Sequence, residues 1–208
     1  MPGWHDRHVS MIAARRTNYA RRQQYRRLTR AGEAGLAAIL LAVLGAWAAS
    51  ARLELPAMGL AIAAAGPGMN ARRWLALARR SRVGAQSEDA VQRALVPLEA
   101  EGWRFRHSLP WRGRGDVDSV AIAPTGIAIA IETKTRRYDR GHLVRVHQQA
   151  AWLCHRRTRW ARNGALAVVC LVNARGVERV DDGVLVVSID RLPWVLRVAA
   201  GFGQMQKD

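Results

Sequence analysis

The sequence predicts an α/β domain with a mixed sheet flanked by helices, preceded by an N-terminal two-helix transmembrane hairpin. Within residues 83–208, the apolar pattern gives the order helix, strand, hairpin, helix, strand, strand, helix, which is typical of helices packed on a mixed sheet. Two stretches without charge, residues 34–51 and 55–70, come before it. Their length and composition are typical of helices that cross a bilayer.

Charge divides the chain further. The formal net charge is +17 over 208 residues. Residues 1–82 hold 14 basic and 3 acidic side chains, and the rest of the chain holds 19 and 13. We therefore expect four parts: a basic cytoplasmic segment at 1–33, the transmembrane hairpin at 34–70, a basic linker at 71–82 and one domain at 83–208.

The two apolar stretches differ in how well they fit a bilayer. Residues 34–51 would span about 27 Å as a helix, close to the thickness of the hydrocarbon core. Residues 55–70 are shorter and contain Pro56 and Pro67, so they would need snorkelling flanks or a thinner bilayer. Arginines stand on both sides of the pair, which predicts that both ends of the hairpin stay in the cytoplasm. We expect a multi-pass protein of a bacterial inner membrane with the C-terminal domain in the cytoplasm. The alternative is a soluble helical hairpin, buried against the domain or a partner.

The arginine clusters around these stretches have two interpretations. They could contact anionic lipid headgroups as juxtamembrane segments. They could also neutralise the phosphates of a nucleic acid. We favour membrane orientation first and nucleic acid second. The sequence carries no signal for an oligomeric state, and its two cysteines, Cys154 and Cys170, are too few and too far apart for a zinc motif or a disulfide framework.

The domain is expected to open with a helix from Gly84 to about Glu101, with Ser87 as its N-cap. Its apolar stripe is formed by Val91, Leu95 and Leu98. Glu88 precedes Val91 by one turn and so lies on the inward face, where an acid needs a partner such as a metal or a metal-bound water. The alternative is a partly exposed glutamate that is favoured in the first turn by the helix dipole.

A tight β-hairpin is predicted around the turn formed by residues 123–126, Ala-Pro-Thr-Gly. If Ala123 faces Ile127, counting outward sets Asp118 opposite Glu132. Glu132 and Lys134 are two residues apart and share a face of the sheet. A slip of one residue would place the two acids on opposite faces, so the inference depends on this register.

Two carboxylates that face each other in a buried sheet repel, and a divalent cation between them would relieve the repulsion. Hard oxygen ligands favour Mg²⁺ or Mn²⁺. Two acids and a lysine on one face are therefore the groups that a metal-dependent phosphodiesterase needs, with Asp118 and Glu132 as metal ligands and Lys134 as the catalytic cation. The alternative is a surface hairpin with a cross-strand charge cluster.

A second helix is predicted from His142 to Asn163. Gln149 lies on its apolar stripe, either as a buried amide satisfied by backbone groups or as a side chain aimed at the sheet. Four arginines crowd the end of this helix, where they suit its dipole and could contact a phosphate backbone. They are Arg156, Arg157, Arg159 and Arg162.

Residues 84–155 resemble the nuclease-related domain family, NERD, of the PD-(D/E)xK nuclease superfamily. The resemblance rests on Gly84 and Glu88, Gly102-Trp103, Gly115-Asp116-Val117-Asp118, Pro124-Thr125-Gly126, Ile131-Glu132-Thr133-Lys134 and Gln149. The chain departs from the family at Ser119, where histidine is usual, and at Thr133 and Thr135, where valine and asparagine are usual. None of these departures removes an acid or the lysine.

The resemblance implies a restriction-endonuclease-like fold and an active site formed by Glu88, Asp118, Glu132, Lys134 and Gln149. We therefore expect a membrane-anchored nuclease that uses Mg²⁺ or Mn²⁺ to hydrolyse phosphodiester bonds, with DNA favoured over RNA as the partner. The alternative is a non-catalytic module, tethered to the membrane through residues 34–70, that retains the nuclease fold and binds nucleic acid or serves as a scaffold.

Overall fold

The computed structural model describes residues 19–111 and 115–205, so residues 1–18 of the expected basic segment lie outside the described residues. The described chain forms four helices and six strands. In order they are α1 Tyr19–Ser50, α2 Glu54–Glu99, β1 Arg104–Pro110, β2 Asp116–Ile122, β3 Ala128–Lys134, α3 Arg140–Arg156, β4 Ala165–Leu171, β5 Glu178–Asp181, β6 Val184–Ser188 and α4 Leu192–Met205. Two compact units result, one of residues 19–83 and one that begins at Gly84.

The six strands form one mixed sheet in the order β1-β2-β3-β4-β6-β5. Strands β1, β2 and β3 are antiparallel neighbours, whereas β3, β4 and β6 run parallel and β5 returns antiparallel to β6. The prediction of a mixed α/β sheet is confirmed. Strand β4 is central, as its continuous apolar run indicates. The short edge strand β5 was not predicted, because its residues Glu-Arg-Val-Asp are mostly exposed and give no apolar pattern.

Both faces of the sheet are covered by apolar side chains. On one face, Val120 and Ala130 pack with Val146 and Leu153 of α3. On the other face lie Ile129 and Ile131, which pack with side chains from the C-terminal part of α2 and from α4. The central strands are therefore buried on both sides, which explains why they read as nearly continuous apolar runs.

The hairpin turn between β2 and β3 has the predicted geometry. Gly126 N–H donates to the Ala123 carbonyl at 2.9 Å, and Ala123 N–H donates to the Ile127 carbonyl at 2.9 Å. Gly126 has φ +84°, in the left-handed region that closes a three-residue loop. The observed pairs, such as Ser119 with Ile131, follow the register that this turn sets.

The structure corrects two predicted helix boundaries. Gly84 does not open a helix and Ser87 is not an N-cap, because α2 runs without a break from Glu54 to Glu99. A single glycine in a helix costs too little to interrupt the hydrogen-bond ladder on both sides of it. The second predicted helix ends at Arg156, not at Asn163, and begins at Arg140 behind an Asp139 capping box.

In the unit of residues 19–83, α1 and the first part of α2 pack as antiparallel helices. Small side chains allow the close approach: a Cβ on Gly45 would lie 3.4 Å from the Leu60 Cβ, and Ala48 and Ala71 are buried. At the other end of this pair, the Arg27 guanidinium donates to the Leu77 carbonyl at 2.9 Å. Residues 71–82, expected as a linker, are helical throughout.

One helix among the described residues is long and apolar enough to cross a membrane, by length and composition. It covers Gln23–Ser50, and only 17% of its apolar window is buried. The second predicted span, residues 55–70, lies inside the longer helix α2. Its proline at 56 falls in the first turn, where a missing N–H costs little, and Pro67 removes one interior hydrogen bond.

We expect opposite effects of Gly→Ala substitutions at two positions on the free energy of unfolding. Gly84→Ala should stabilise the protein by about 0.5–1 kcal/mol, because the residue is helical and no atom beyond the neighbouring helix backbone lies within 4 Å of the added Cβ. Gly126→Ala should destabilise it by about 1–2 kcal/mol, because alanine pays for the left-handed conformation. Chemical unfolding in a nonionic detergent measures both, and a destabilising Gly84→Ala would contradict the continuous helix.

Candidate active site

The register of β2 and β3 places the predicted acids together. Ser119 pairs with Ile131, so the next position outward sets Asp118 opposite Glu132. Along β3, alternation puts Glu132 and Lys134 on the face of Ala128 and Ala130, which α3 covers. Asp118 reaches the same end of β3, where its carboxylate contacts the Thr133 N–H. The acids therefore lie at the open end of the hairpin, away from the turn.

Glu132 is a buried carboxylate with only half of its oxygens satisfied. The residue is 2% exposed. Its Oε1 lies 2.8 Å from the Lys134 Nζ, whereas Oε2 has no hydrogen-bond partner among the described residues. A buried charged oxygen without a partner is costly. Glu132 therefore presents an oxygen that is suited to a cation or to an ordered water.

Asp118 is held in place by the neighbouring strand. Its Oδ2 accepts a hydrogen bond from the Thr133 backbone N–H at 2.8 Å. Burial raises the pKa of Asp118 well above its usual range, and the carboxylates of Glu132 and Glu88 raise it further. The Thr133 N–H and the Lys134 ammonium oppose this rise without cancelling it. A bound cation would relieve the repulsion that the acids impose on one another.

Glu88 joins this cluster from α2. The side chain is half-buried, and burial raises its pKa to about 7, with further contributions from Asp89, Glu132 and Asp116. Lys134 acts in the opposite direction. Glu88 therefore lies near enough to Glu132 and Lys134 for their charges to act on its pKa, which at about 7 suits a proton acceptor at neutral pH.

Gln149 is fully buried on α3, between Val146 and Leu153. Neither its amide nitrogen nor its amide oxygen has a hydrogen-bond partner among the described residues. Buried amides are nearly always satisfied by protein or ordered water. The interpretation of Gln149 as an amide satisfied by backbone groups is therefore wrong, and its two polar atoms are available to a water or ligand.

Arg145 lies near the same site and was not predicted. It precedes Gln149 by one helical turn, so the two share a face of α3. Its Nη2 lies 3.3 Å from the Asp116 carbonyl oxygen, to which it donates, and its Nε is buried without a partner among the described residues. The i, i+4 spacing to Gln149 was the sequence signal that could have identified it.

The four arginines predicted to contact nucleic acid lie elsewhere. All are exposed at or after the C-terminal end of α3. There, Asn163 N–H donates to the Gly126 carbonyl at 3.0 Å, so this segment lies beside the hairpin turn. Six residues of extended strand separate Gly126 from Glu132, or roughly 20 Å. One of the four, Arg157, also stacks over the Trp160 ring at 5.1 Å.

The donor set fits a divalent cation held mainly by two acids. Among residues 19–111 and 115–205, no group of three or more His, Cys, Asp or Glu side chains has the spacing of a metal site. Mg²⁺ commonly takes one or two carboxylates and completes its shell with water and substrate phosphate. The unpartnered Oε2 of Glu132 and the raised pKa of Asp118 are consistent with such a site.

The comparisons with known proteins support the resemblance. Residues 83–168 match the family model described as the nuclease-related domain. The predicted resemblance of residues 84–155 to this family is therefore confirmed. No curated protein and no solved structure matches the chain.

Stability should depend on pH through Glu88. Its pKa is about 7 in the folded protein against 4.5 for an unperturbed glutamate. As the pH rises between these values, the unfolded state loses its proton first, so the free energy of unfolding should fall, by about 2 kcal/mol for this partly exposed group. Glu88→Gln should flatten the profile in metal-free unfolding experiments over this range.

Glu101→Gln is the matched control for this measurement. Arg197 hydrogen-bonds the Glu101 carboxylate and holds its pKa below the usual range, so this group adds stability above its unfolded pKa and loses it as the pH falls through the folded pKa. Glu101→Gln should therefore change the profile only below pH 4.5, the usual pKa of a glutamate, and leave the range in which Glu88 acts unchanged. Identical profiles for Glu88→Gln and the unmutated protein would contradict the coupling of Glu88 to the acidic cluster.

Proposed function

We propose that this chain, whose residues 83–168 carry a nuclease-related domain, is a membrane-anchored nuclease that hydrolyses nucleic-acid phosphodiester bonds with Mg²⁺ or Mn²⁺. The observation that carries the proposal is the buried Glu132 carboxylate, which contacts Lys134 through one oxygen and leaves the other without a partner. Asp118, which accepts a hydrogen bond from the Thr133 N–H next to Glu132, has a pKa raised by burial and further by Glu132 and Glu88. DNA is favoured over RNA as the substrate.

In this proposal Asp118 and Glu132 hold the cation, with the Thr133 carbonyl as a further ligand. When bound, the cation would neutralise charge on the phosphate and lower the pKa of a coordinated water. Gln149 would orient that water through its amide, because both amide atoms are buried and free of protein partners among the described residues. Arg145, which donates to the Asp116 carbonyl, would stabilise negative charge on a substrate phosphate bound nearby.

The bond changes in the proposed reaction are those of hydrolysis. The water oxygen bonds to phosphorus, and the ester P–O bond breaks with its electron pair on the leaving sugar oxygen. Glu88, with a pKa of about 7, is suited to accept a proton from the attacking water, in addition to a role in holding a second metal or a metal-bound water. The leaving oxygen takes up a proton from solvent, Glu88 releases to solvent the one it accepted, and the second water proton stays on the product phosphate, so the protein neither gains nor loses a proton. Lys134 orients the water and donates to the charged phosphate.

The second candidate function is a non-catalytic module that binds nucleic acid or serves as a scaffold. The observation that favours it is that no group of three metal-ligating side chains stands close together among the described residues. This module would be favoured if Lys134 paired with Asp116 across the two strands and if the carboxylates of Asp118 and Glu132 pointed away from each other. Lys134 instead pairs with Glu132 at 2.8 Å, which favours the enzyme. A nuclease that is silent without a partner protein is a further variant of the first proposal.

Membrane anchoring through residues 34–70 is supported by the apolar surface of the first unit. Leu36, Ile39 and Val43 of α1 are each about 60% exposed, and Trp47 is 68% exposed. In α2, the exposed apolar side chains include Leu55, Met58 and Ile62. Such a surface is stable in lipid and costly in water. We propose that both stretches cross the bilayer.

The arginines provide the orientation in this proposal. Arg26 and Arg30 of α1 and Arg72, Arg73 and Arg79 of α2 are exposed, and the antiparallel packing brings them to one end, as the Arg30 stack over Trp74 at 4.9 Å indicates. Basic residues concentrate on the cytoplasmic side. The C-terminal domain would then be cytoplasmic at the inner membrane, with arginines contacting anionic lipid.

Substitution of Lys134 and of Glu132 should separate catalysis from metal binding. Lys134→Ala should abolish cleavage and leave Mg²⁺ binding intact or tighten it by about 1 kcal/mol, because a competing positive charge is removed. Glu132→Ala should lose both metal binding and cleavage, because it removes a ligand. Calorimetric metal titration and a nuclease assay on the full-length protein in detergent measure the two properties.

Among the described residues, no exposed lysine near the site can serve as a matched control. Arg156→Ala is used instead, because it removes one positive charge at the opposite end of α3. It should cleave as the unmutated protein does. If the unmutated protein cleaves no nucleic acid with any divalent metal, and both site variants bind nucleic acid equally well, the non-catalytic module is correct.

Membrane insertion can be tested with charges on the exposed face of α1. Leu40→Glu combined with Leu44→Glu should release the protein from membranes, because both exposed positions lie near the middle of residues 34–51 and each charge at the centre of a span costs about 2.5–3.5 kcal/mol. Leu75→Glu, at an exposed position near the arginines of α2, is the control and should stay membrane-bound. Carbonate extraction of cell membranes measures the partition, and full-length unmutated chain in the soluble fraction without detergent would overturn the proposal.

A further inference from the structure

The carboxyl ends of the three parallel strands form one continuous edge of the sheet. Val172 N–H donates to the Lys134 carbonyl at 2.9 Å, and Asn173 N–H donates to the Thr135 carbonyl at 2.8 Å. Ile189 N–H donates to the Leu171 carbonyl at 3.1 Å, which brings the end of β6 alongside. In open α/β sheets, ligands bind at such carboxyl ends. Because Lys134 is the last residue of β3, this edge begins at the candidate active site.

Three exposed arginines follow these strands, and we refer to them as the carboxyl-edge arginines: Arg136, Arg137 and Arg175. Arg136 and Arg137 follow Lys134 by two and three residues. Within the part of the chain that the structure describes, neither forms an ion pair with a carboxylate. Exposed guanidinium groups that form no ion pair with a protein acid are available to an external anion.

Two concavities flank this edge. One, of about 500 Å³, is lined by Arg136, Arg137, Tyr138 and Arg179 among others. The second, of about 460 Å³, is lined by Asn173 and Arg175 among others. The apolar residues that line them are buried or half-buried, so neither offers an exposed apolar side chain to a bilayer. Their polar surface fits a charged chain better than a lipid surface.

Acidic side chains also line the concavities, but they are engaged with protein groups. The Tyr138 hydroxyl donates to Asp181 at 2.8 Å, Arg140 lies 3.8 Å from Asp182, and Gly176 N–H donates to Asp190 at 3.2 Å. These contacts partly neutralise or fix the acids. The positive charge of Arg136 and Arg137 is not offset in this way.

We propose that the carboxyl-edge arginines bind the phosphodiester backbone of a nucleic-acid strand and guide it to Lys134 and Glu132. The inference rests on the proposed nuclease function and names its substrate-binding surface. Arg136 lies within about 7 Å of Lys134 along the chain, so a phosphate held there is next to one at the acids. Such contacts fix the register of the strand and carry no sequence information. The arginines at 156–162, roughly 20 Å away at the hairpin turn, do not serve this purpose.

Two charge-matched double variants test the assignment. The full-length protein in nonionic detergent is titrated with a short fluorescently labelled DNA, without divalent metal, at several salt concentrations. R136A/R137A should weaken binding about tenfold and lower the slope of log affinity against log salt by about 1.4–1.8, as expected for two lost phosphate contacts. R156A/R159A removes the same charge at the opposite end of α3 and should change affinity less than about twofold.

A charge-preserving variant guards against an effect of misfolding. R136K/R137K should retain most of the affinity, because a lysine also binds phosphate as a point charge. Its thermal unfolding should match that of R136A/R137A, since both positions are exposed. Recovery of binding with lysine and not with alanine supports a phosphate contact.

Three results would overturn the inference. They are an equal loss of affinity in R136A/R137A and R156A/R159A, no loss in R136A/R137A, and a loss of binding to anionic lipid vesicles with unchanged DNA binding, which would assign the arginines to a membrane.

A cleavage assay separates this inference from the proposed function. If the contrast between the two pairs holds but no metal supports cleavage, the surface stands and the hydrolase fails. If cleavage occurs with an unchanged KM in R136A/R137A, the hydrolase stands and the surface fails.

Discussion

The three-residue turn between β2 and β3 sets the relative positions of Asp118 and Glu132 in the candidate site. Its two hydrogen bonds join Ala123 to Gly126 and Ile127, and the left-handed Gly126 allows the loop to close without a longer connection. Because side chains alternate along a strand, this register determines which face Asp118 and Glu132 occupy. A different loop length would move one strand by a residue and separate the two acids, although the rest of the sheet could remain.

The buried polar groups around this hairpin are arranged poorly for stability alone. Glu132 has an oxygen without a partner, Gln149 has two polar atoms without partners among the described residues, and Asp118 is repelled by its neighbours. A core selected only for stability would replace or pair such groups, because each costs free energy. Perturbed and incompletely satisfied groups that cluster in one place are characteristic of functional sites.

Helix α3 separates two charged regions with different surroundings. Its N-terminal end follows Lys134 and the carboxyl-edge arginines, and its C-terminal end carries the arginines at 156–162 beside the hairpin turn. The positive charges at the two ends therefore have different neighbours. Only the N-terminal end adjoins the buried acids, since β3 delivers its last residues to that edge of the sheet.

The sequence by itself determined the class of fold, the hairpin with its register, and the acids and lysine of the candidate site. These follow from local rules: a Pro-Thr-Gly turn, alternation along a strand and apolar periodicity. It also predicted the apolar surface of α1. Local rules were sufficient there because each signal depends on residues that are neighbours along the chain.

Tertiary structure alone decided which distant residues meet. The long helix α2 passes through Gly84 because packing on both sides sustains it, although Ser87 satisfies the local rule for an N-cap. Arg145 approaches Asp116, and the arginines at 156–162 lie at the turn, because α3 crosses back over the sheet between parallel strands. Such placements depend on contacts between residues far apart in sequence, which composition and spacing do not specify.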